Sequence, residues 1–358
     1  MKVYVLTIHC IHNFGSVFQS YALVERLRGK GEDASIIDYR PAYYTKGRNA
    51  LKSFIARLIN YVPYHKQHRR YQRFIDKEIP KTSTVFQTID DLNLLADSNS
   101  IFIAGGDQIW NSFHPCGRDD AYKLVFAKDQ PKIAFGTSMG RNSFKEEELK
   151  ELAKKVSDFK HIALREKSTV EMLKPYTDVP VSHVCDPVLL LNKQDYNRFI
   201  GDTPIIKEPY LLMYLADKSD LLEETVTRLA RKYGLKIVHV CGFRKKCTCD
   251  YFLKATGPED LLNLIYYSKF VVSASFHATL FSLLFEKEFC TLLPEAGTNT
   301  RIEDLLSYFG LSERIVHQSS DIARLETAID YSIVTPHLER FADQSRALLD
   351  SILKDCTR

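Results

Sequence analysis

No apolar stretch of this 358-residue chain approaches the roughly 18 residues needed to cross a bilayer, and its longest apolar runs are broken by charges. The first residues show no basic start leading into a long apolar run and a small-residue cleavage site. The expectation is therefore a cytoplasmic protein without a signal peptide. Paired CxxC spacing is lacking: the eight cysteines scatter from Cys10 to Cys356, and the one cluster, Cys241, Cys247 and Cys249, has no obvious fourth ligand. That usage fits buried thiols in a reducing compartment and no metal. A large charge of one sign is missing too, since a dispersed net +4 gives no basic patch for nucleic acid but would not repel an anionic substrate or membrane surface. No internal repeat is evident, which excludes a solenoid, and the first strand-end loop lacks GxGxxG, which argues against a dinucleotide cofactor.

What is present describes a globular enzyme-sized chain. Hydrophobic residues make up 45% and aromatic residues 11%, enough for packed cores, and the length exceeds what a single core usually fills. Short apolar strand patterns alternate with helical ones. The opening Val3–Thr7, a polar turn, a helix through Arg28 and a second strand at Ala34–Tyr39 complete a βαβ unit. Further strands are expected at Ser100–Ala104, Lys132–Phe135, His161–Leu164 and Val181–Val184. A second series follows at Tyr210–Leu215, Lys236–Val240, Phe270–Ser273 and Phe289–Leu293. Two prolines and lost periodicity between Asp202 and Pro209 place a boundary there. The reading is α/β: two doubly wound, Rossmann-like domains at 1–203 and 204–335 facing a central cleft, with a C-terminal helix at 336–358 that packs back on the first domain.

Residues Leu51–Lys77 carry aromatic and basic side chains at helical spacing. One account is an amphipathic helix pair with a solvated basic face. The other is a surface for a lipid-pyrophosphate-linked acceptor at the anionic inner leaflet, giving peripheral membrane contact.

Four strand-end loops join a buried apolar run to polar or glycine residues at a helix start: His9–Ser16, Gly105–Asn111, Arg165–Lys167 and Ser273–Thr279. Such loops aim free backbone N–H groups and the positive end of a helix dipole at whatever binds there, which suits anions. Asp107, which follows two glycines, and Asp186, which precedes Pro187, are candidate proton acceptors; each could equally cap a helix or fix a turn. Asn13, Gly15, Gly106 and Ser275 are candidate substrate-binding positions in these loops. Trp110, the one tryptophan, suits stacking on a sugar or packing in the core.

Short motifs follow one another along the chain: Asn13-Phe-Gly15-Ser with Gln19-Ser-Tyr-Ala-Leu23, Ile37-Asp-Tyr-Arg40-Pro41, Gly106-Asp107-Gln108-Ile-Trp110-Asn111, Arg165-Glu166-Lys167, Asp186-Pro187, Ser275-Phe276-His277 and Thr300-Arg301-Ile-Glu-Asp304. As an ordered set they resemble the polysaccharide pyruvyltransferase family across most of the chain. The resemblance implies a GT-B-like fold and a donor, phosphoenolpyruvate, whose pyruvate is transferred to two hydroxyls of a sugar acceptor as a ketal, without metal or organic cofactor. It further implies donor binding or catalysis at Arg165 and at His277, with a third cation at Arg301 or, second, Lys287. The family's usual glycine after the histidine is Ala278 here. The same architecture would serve a nucleotide-sugar glycosyltransferase or a non-catalytic glycan-binding assembly protein.

Overall fold

The computed structural model describes residues 1–44, 61–95, 99–141, 143–240, 244–293 and 300–357. Cys241 and the stretch 51–60, both singled out from the sequence, lie outside the described residues. The chain divides into two units, one of Met1–Arg48, Phe74–Leu191 and Glu339–Arg358, the other of Asn49–Arg73 and Asn192–Leu338.

In the first unit, strands β1 (Lys2–Leu6), β2 (Asp33–Ile36), β3 (Ser100–Gly105), β4 (Lys132–Thr137), β5 (His161–Leu164) and β6 (Val181–His183) form one sheet in the order β2-β1-β3-β4-β5-β6. All its pairings are parallel. Strands β3 and β4 are buried along their whole length, as expected of parallel strands covered on both faces. The order reverses between β1 and β3, and in such sheets ligands bind outside the carboxyl ends at that point.

The helix Phe14–Gly29 follows β1 directly. Asn13 caps it, its Oδ1 accepting from the Ser16 N–H at 3.2 Å. Its buried residues run almost all the way round, from Phe14 and Phe18 to Tyr21 and Leu27, so it is a core helix rather than a surface one. A Cβ on Gly105, at the end of β3, would lie 2.5 Å from Leu23 Cδ2, so the absence of a side chain there lets the helix sit against the sheet.

The second unit repeats the plan. Strands β7 (Tyr210–Tyr214), β8 (Lys236–Val240), β9 (Tyr251–Leu253), β10 (Phe270–Ser273), β11 (Glu288–Leu292) and β12 (Ile315–Val316) pair in parallel in the order β12-β11-β10-β7-β8-β9. The reversal falls between β7 and β10. Leu211, Met213, Val226, Leu229, Phe270 and Val272 are among the residues that close its core.

The units divide at Leu191/Asn192, earlier than the 203/204 boundary expected from the sequence. Asn263, in the helix Pro258–Tyr267, donates to the Ile200 and Thr203 carbonyls at 2.6 and 2.9 Å and so ties this segment to the second unit. The last helix runs Tyr331–Cys356, and its residues from Glu339 on belong to the first unit. There Ser345 Oγ accepts from the Cys185 N–H at 2.9 Å, and Arg26 pairs with Asp350 at 2.8 Å.

Candidate functional site

At the carboxyl edge of the first sheet the loops after β1, β3, β4, β5 and β6 bring together an array of buried polar side chains. Asp107 stands just past the end of β3 with φ at +53°, a left-handed conformation uncommon outside glycine, and Gly106 before it has φ +62°. Its carboxylate accepts from Ser16 Oγ at 2.5 Å and from the Gln108 N–H at 2.8 Å. Arg165, the first residue after β5, reaches Asp107 at 3.9 Å, Glu166 at 3.2 Å and Asp186 at 2.5 Å. Ser138, after β4, donates to Glu166. Its N–H also donates to the Asp107 carbonyl at 2.9 Å, which locks the loops after β3 and β4 together.

The electrostatics follow from that enclosure. Burial works against a charge on Arg165, but Asp186, Glu166 and Asp107 outweigh it and hold the guanidinium protonated, its pKa raised above the ordinary value. The side chain is only 1% exposed and is ringed by these three carboxylates, so in this structure its guanidinium is spent on ion pairs. Asp186 is enclosed likewise. Its side chain is fully buried, one oxygen receiving Arg165 and the other the Val188 N–H at 3.0 Å. Trp110 is buried, its Nε1 donates to the Tyr122 carbonyl at 2.8 Å, and its ring meets Phe159 edge-on.

Gly106 has a steric reason to be glycine, because a Cβ there would lie 1.6 Å from Gln19 Oε1. Gln19 is fully buried and donates to Thr7 Oγ1, the Ser16 carbonyl and Ser20 Oγ, which fixes the floor of the array. Asn13 is exposed at the helix start, whereas Gly15 is buried in its first turn.

A neighbouring trio, drawn from the His9–Ser16 loop and the Ile37–Pro41 motif, was not among the site residues expected from the sequence. His9, fully buried after β1, contacts Asp38 at 2.9 Å, and Arg40 grips the same carboxylate through Nε at 2.6 Å and Nη2 at 2.9 Å. Burial opposes ionisation of Asp38, but His9 and Arg40 prevail and hold its pKa well below the usual carboxylate range. The available signal was positional: His9 and the Asp38–Arg40 pair each lie just beyond an apolar strand.

In the second unit, Ser275 caps the helix Phe276–Leu284, its Oγ accepting from the Ala278 N–H at 3.4 Å. His277 lies in the first turn, buried, its ring edge-on to Phe276. Arg301, in the helix Thr300–Tyr308, places its guanidinium 5.8 Å from the Phe276 ring centre. Lys287 instead precedes β11, at the amino end of a strand, and lies over Tyr266 at 5.1 Å. Of the two cations considered, Arg301 therefore shares an aromatic neighbour with the Ser275–His277 turn. The loop after β7 also bears a left-handed non-glycine residue, Leu215 with φ +49°, and its carbonyl accepts from the Ala274 N–H at 3.3 Å. Each unit thus has a left-handed non-glycine residue at the point where its strand order reverses. Such outliers persist only where the surroundings over-determine them, and each unit holds a second one away from the reversal, Leu124 and Glu286.

The fold is shared with solved proteins at low identity. UDP-GlcNAc 2-epimerase from Methanocaldococcus jannaschii is 10% identical with a TM-score of 0.57, covering 98% of this chain and 100% of that one. The MnaA–UDP structure from S. aureus is 14% identical with a TM-score of 0.55, at 98% and 95% coverage. The UDP-GlcNAc 2-epimerase from Neisseria meningitidis bound to UDP-GlcNAc is 10% identical with a TM-score of 0.52, at 99% and 100% coverage. Together with the two parallel-sheet α/β units, these likenesses give the fold as GT-B-like. No curated protein matches the chain. The family model described as polysaccharide pyruvyl transferase matches residues 13–294, a span that takes in the Asn13 cap, Asp107, Arg165, Asp186 and the Ser275–His277 turn, and the chain accordingly belongs to the polysaccharide pyruvyl transferase family, a family of transferase enzymes.

Proposed function

We propose that the protein transfers pyruvate from phosphoenolpyruvate to two hydroxyls of a sugar, forming a ketal and releasing phosphate, without a metal or organic cofactor. One acceptor hydroxyl adds to the central carbon of the donor while the methylene carbon takes a proton and becomes a methyl group. Phosphate then departs with its bonding pair, and the second hydroxyl closes the ketal as it loses its proton. Two hydroxyl protons are lost, one to carbon and one to the released phosphate, so the step balances.

Membership of the family supports the pyruvyl unit, and the observation that carries the assignment of roles is the Ser275–His277 turn at the strand-order reversal of the second unit. A capped helix start directs backbone N–H groups at an anion, and His277 beside it is suited to deliver the proton to carbon. Arg301 supplies the cation for the donor's carboxylate or phosphate. In the first unit Asp107 takes the acceptor's proton, held by Ser16 and by the positive charge of Arg165, which Asp186 and Glu166 position in turn. The acceptor in this reading is carried on a lipid pyrophosphate at the cytoplasmic face. The exposed row Lys66, Arg69 and Arg73, on one face of the helix Tyr61–Glu78, fits such an anionic surface. Among the described residues no helix is long and apolar enough to cross a membrane.

The test is ligand-induced stabilisation. A ligand bound only by the folded state raises the melting temperature, by about 2.7 kcal/mol of stability at a hundredfold excess over its Kd. Phosphoenolpyruvate at millimolar concentration is expected to raise it and UDP-sugars to leave it unmoved. The reverse pattern would replace the donor by a nucleotide sugar.

A further inference from the structure

A pocket of about 580 Å³ opens in the first unit between the loops after β3 and β4 and the helix Glu146–Lys155, within the size range of small-ligand sites. Trp110, Met139 and Leu152 form its apolar lining. At its mouth Phe113 is 61% exposed, yet it is not loosely held. Its N–H donates to Asn111 Oδ1 at 3.1 Å, and the Arg141 guanidinium lies 4.1 Å from its ring centre and 4.3 Å from that of Phe144.

Arg141 itself is nine-tenths buried. Its Nη2 donates to Ser112 Oγ and to Glu148 Oε1, each at 2.7 Å, while its buried Nε has no partner among the described residues. A buried guanidinium N–H left unmatched in a pocket wall is costly unless something polar enters. The lining charges favour an anion, since Arg118, Lys123, Arg141 and Lys155 outnumber Glu148 and Glu151. Lys155 is already paired with Asp120 and Glu151, at 2.8 and 3.0 Å, and Lys123 is committed to the Gly117 and Asp119 carbonyls. Arg118 is exposed and has no acidic partner among the described residues.

We infer that this pocket binds a sugar ring bearing a phosphate, the ring's C–H face on Phe113 and the phosphate at Arg118. Aromatic faces suit the apolar face of a sugar, and the planar cationic fork suits phosphate. The inference rests on the proposed reaction and gives its acceptor a subsite: the loop with Asp107 continues through Trp110 to Phe113, and the loop with Ser138 continues to Arg141. The same head group is shared by free glycosyl phosphates and by glycans carried on a lipid phosphate.

Trp110 lines the pocket and is the chain's one tryptophan, so its fluorescence reports occupancy directly. The full chain is titrated with galactose 1-phosphate, glucose 1-phosphate and mannose 1-phosphate, with the free hexoses and inorganic phosphate in separate arms, and then with a short-chain prenyl-phosphate-linked hexose. At least one hexose 1-phosphate is expected to bind at millimolar concentration or tighter. Phe113→Ala should weaken it roughly tenfold, the scale of one stacked-ring contact. Arg118→Ala should erase its advantage over the free hexose. Tighter binding of the prenyl-linked form would assign the lipid-borne source, and equal binding the free one. The inference is overturned if no hexose 1-phosphate binds, if inorganic phosphate binds as well as the sugar phosphates, or if both variants, melting as the parent does, bind as it does. Phosphoenolpyruvate stabilisation measured on the same samples separates the two readings, because a silent donor with an intact Phe113 effect would leave this subsite standing and remove the pyruvyl chemistry.

Discussion

His277 and Asp107 carry the proton movements of the proposed reaction from different surroundings. His277 is buried in the first turn of a helix behind the Ser275 cap, and glutamine in its place keeps size and a donor group while removing proton exchange near neutral pH. His277→Gln is expected to lower turnover by roughly 10² to 10⁴ with donor affinity little changed. A fall in donor affinity with turnover at saturation intact would instead make it a phosphate contact, and steady-state kinetics with direct donor binding separate the cases. Asp186 is the closest ion partner of Arg165. Replacing it by alanine strips the enclosed Arg165 of its shortest ion pair, and breaking one partner of a buried pair costs about 3–5 kcal/mol. Urea unfolding of Asp186→Ala should show a loss of that size, and a loss below about 1 kcal/mol would mean the enclosure is far more hydrated than its geometry indicates.

The first helix and the third strand meet at a point where neither can yield. Gly106 combines a left-handed φ with a Cβ position already filled by Gln19, whose amide is bound to Thr7, Ser16 and Ser20. Gly106→Ala therefore has to carry strain of about 1–3 kcal/mol and displace the Gln19 amide as well. The expected readout is a lower midpoint in urea together with loss of turnover, since Asp107 is the next residue. The pairing of Gly106 with Gln19 joins two motifs that the sequence shows far apart. Their order along the chain could be read; their contact arises only because β1 and β3 are neighbours in the sheet.

The first unit's stability is linked to acid through Asp38. Its folded pKa is depressed, so the native state binds fewer protons than the unfolded chain as pH falls. The contribution is fully present above the ordinary carboxylate pKa of about 4 and is lost as pH falls below it toward the folded value. Asp38→Asn should therefore be less stable than the parent at neutral pH and show a flatter acid limb, with the two curves converging toward low pH. Urea midpoints across that range measure it, and parallel curves would show that His9 and Arg40 do not hold the charge. Replacing only one carboxylate leaves the Arg165 network as an internal control.

Strand content was legible because a parallel strand covered on both faces must be a short apolar run, as at Ser100–Ala104 and Phe270–Ser273, and the polar residues beyond such runs marked the carboxyl edges. The two strands that escaped, Tyr251–Leu253 and Ile315–Val316, are the outer members of their sheet and too short to show a period. The sequence by itself determined two parallel-sheet α/β units, the order of the motifs and the residue types offered to chemistry. Only the tertiary structure decided which of those residues are spent on each other. Arg165, Asp186 and Asp107 come from three separate strand ends, and whether a guanidinium meets a substrate or a carboxylate depends on which strands the sheet makes neighbours. The left-handed backbone at Leu215 is decided in the same way, because nothing local favours it, whereas at Asp107 the side chain's bond to the Gln108 N–H adds a local preference to what the packed loops impose.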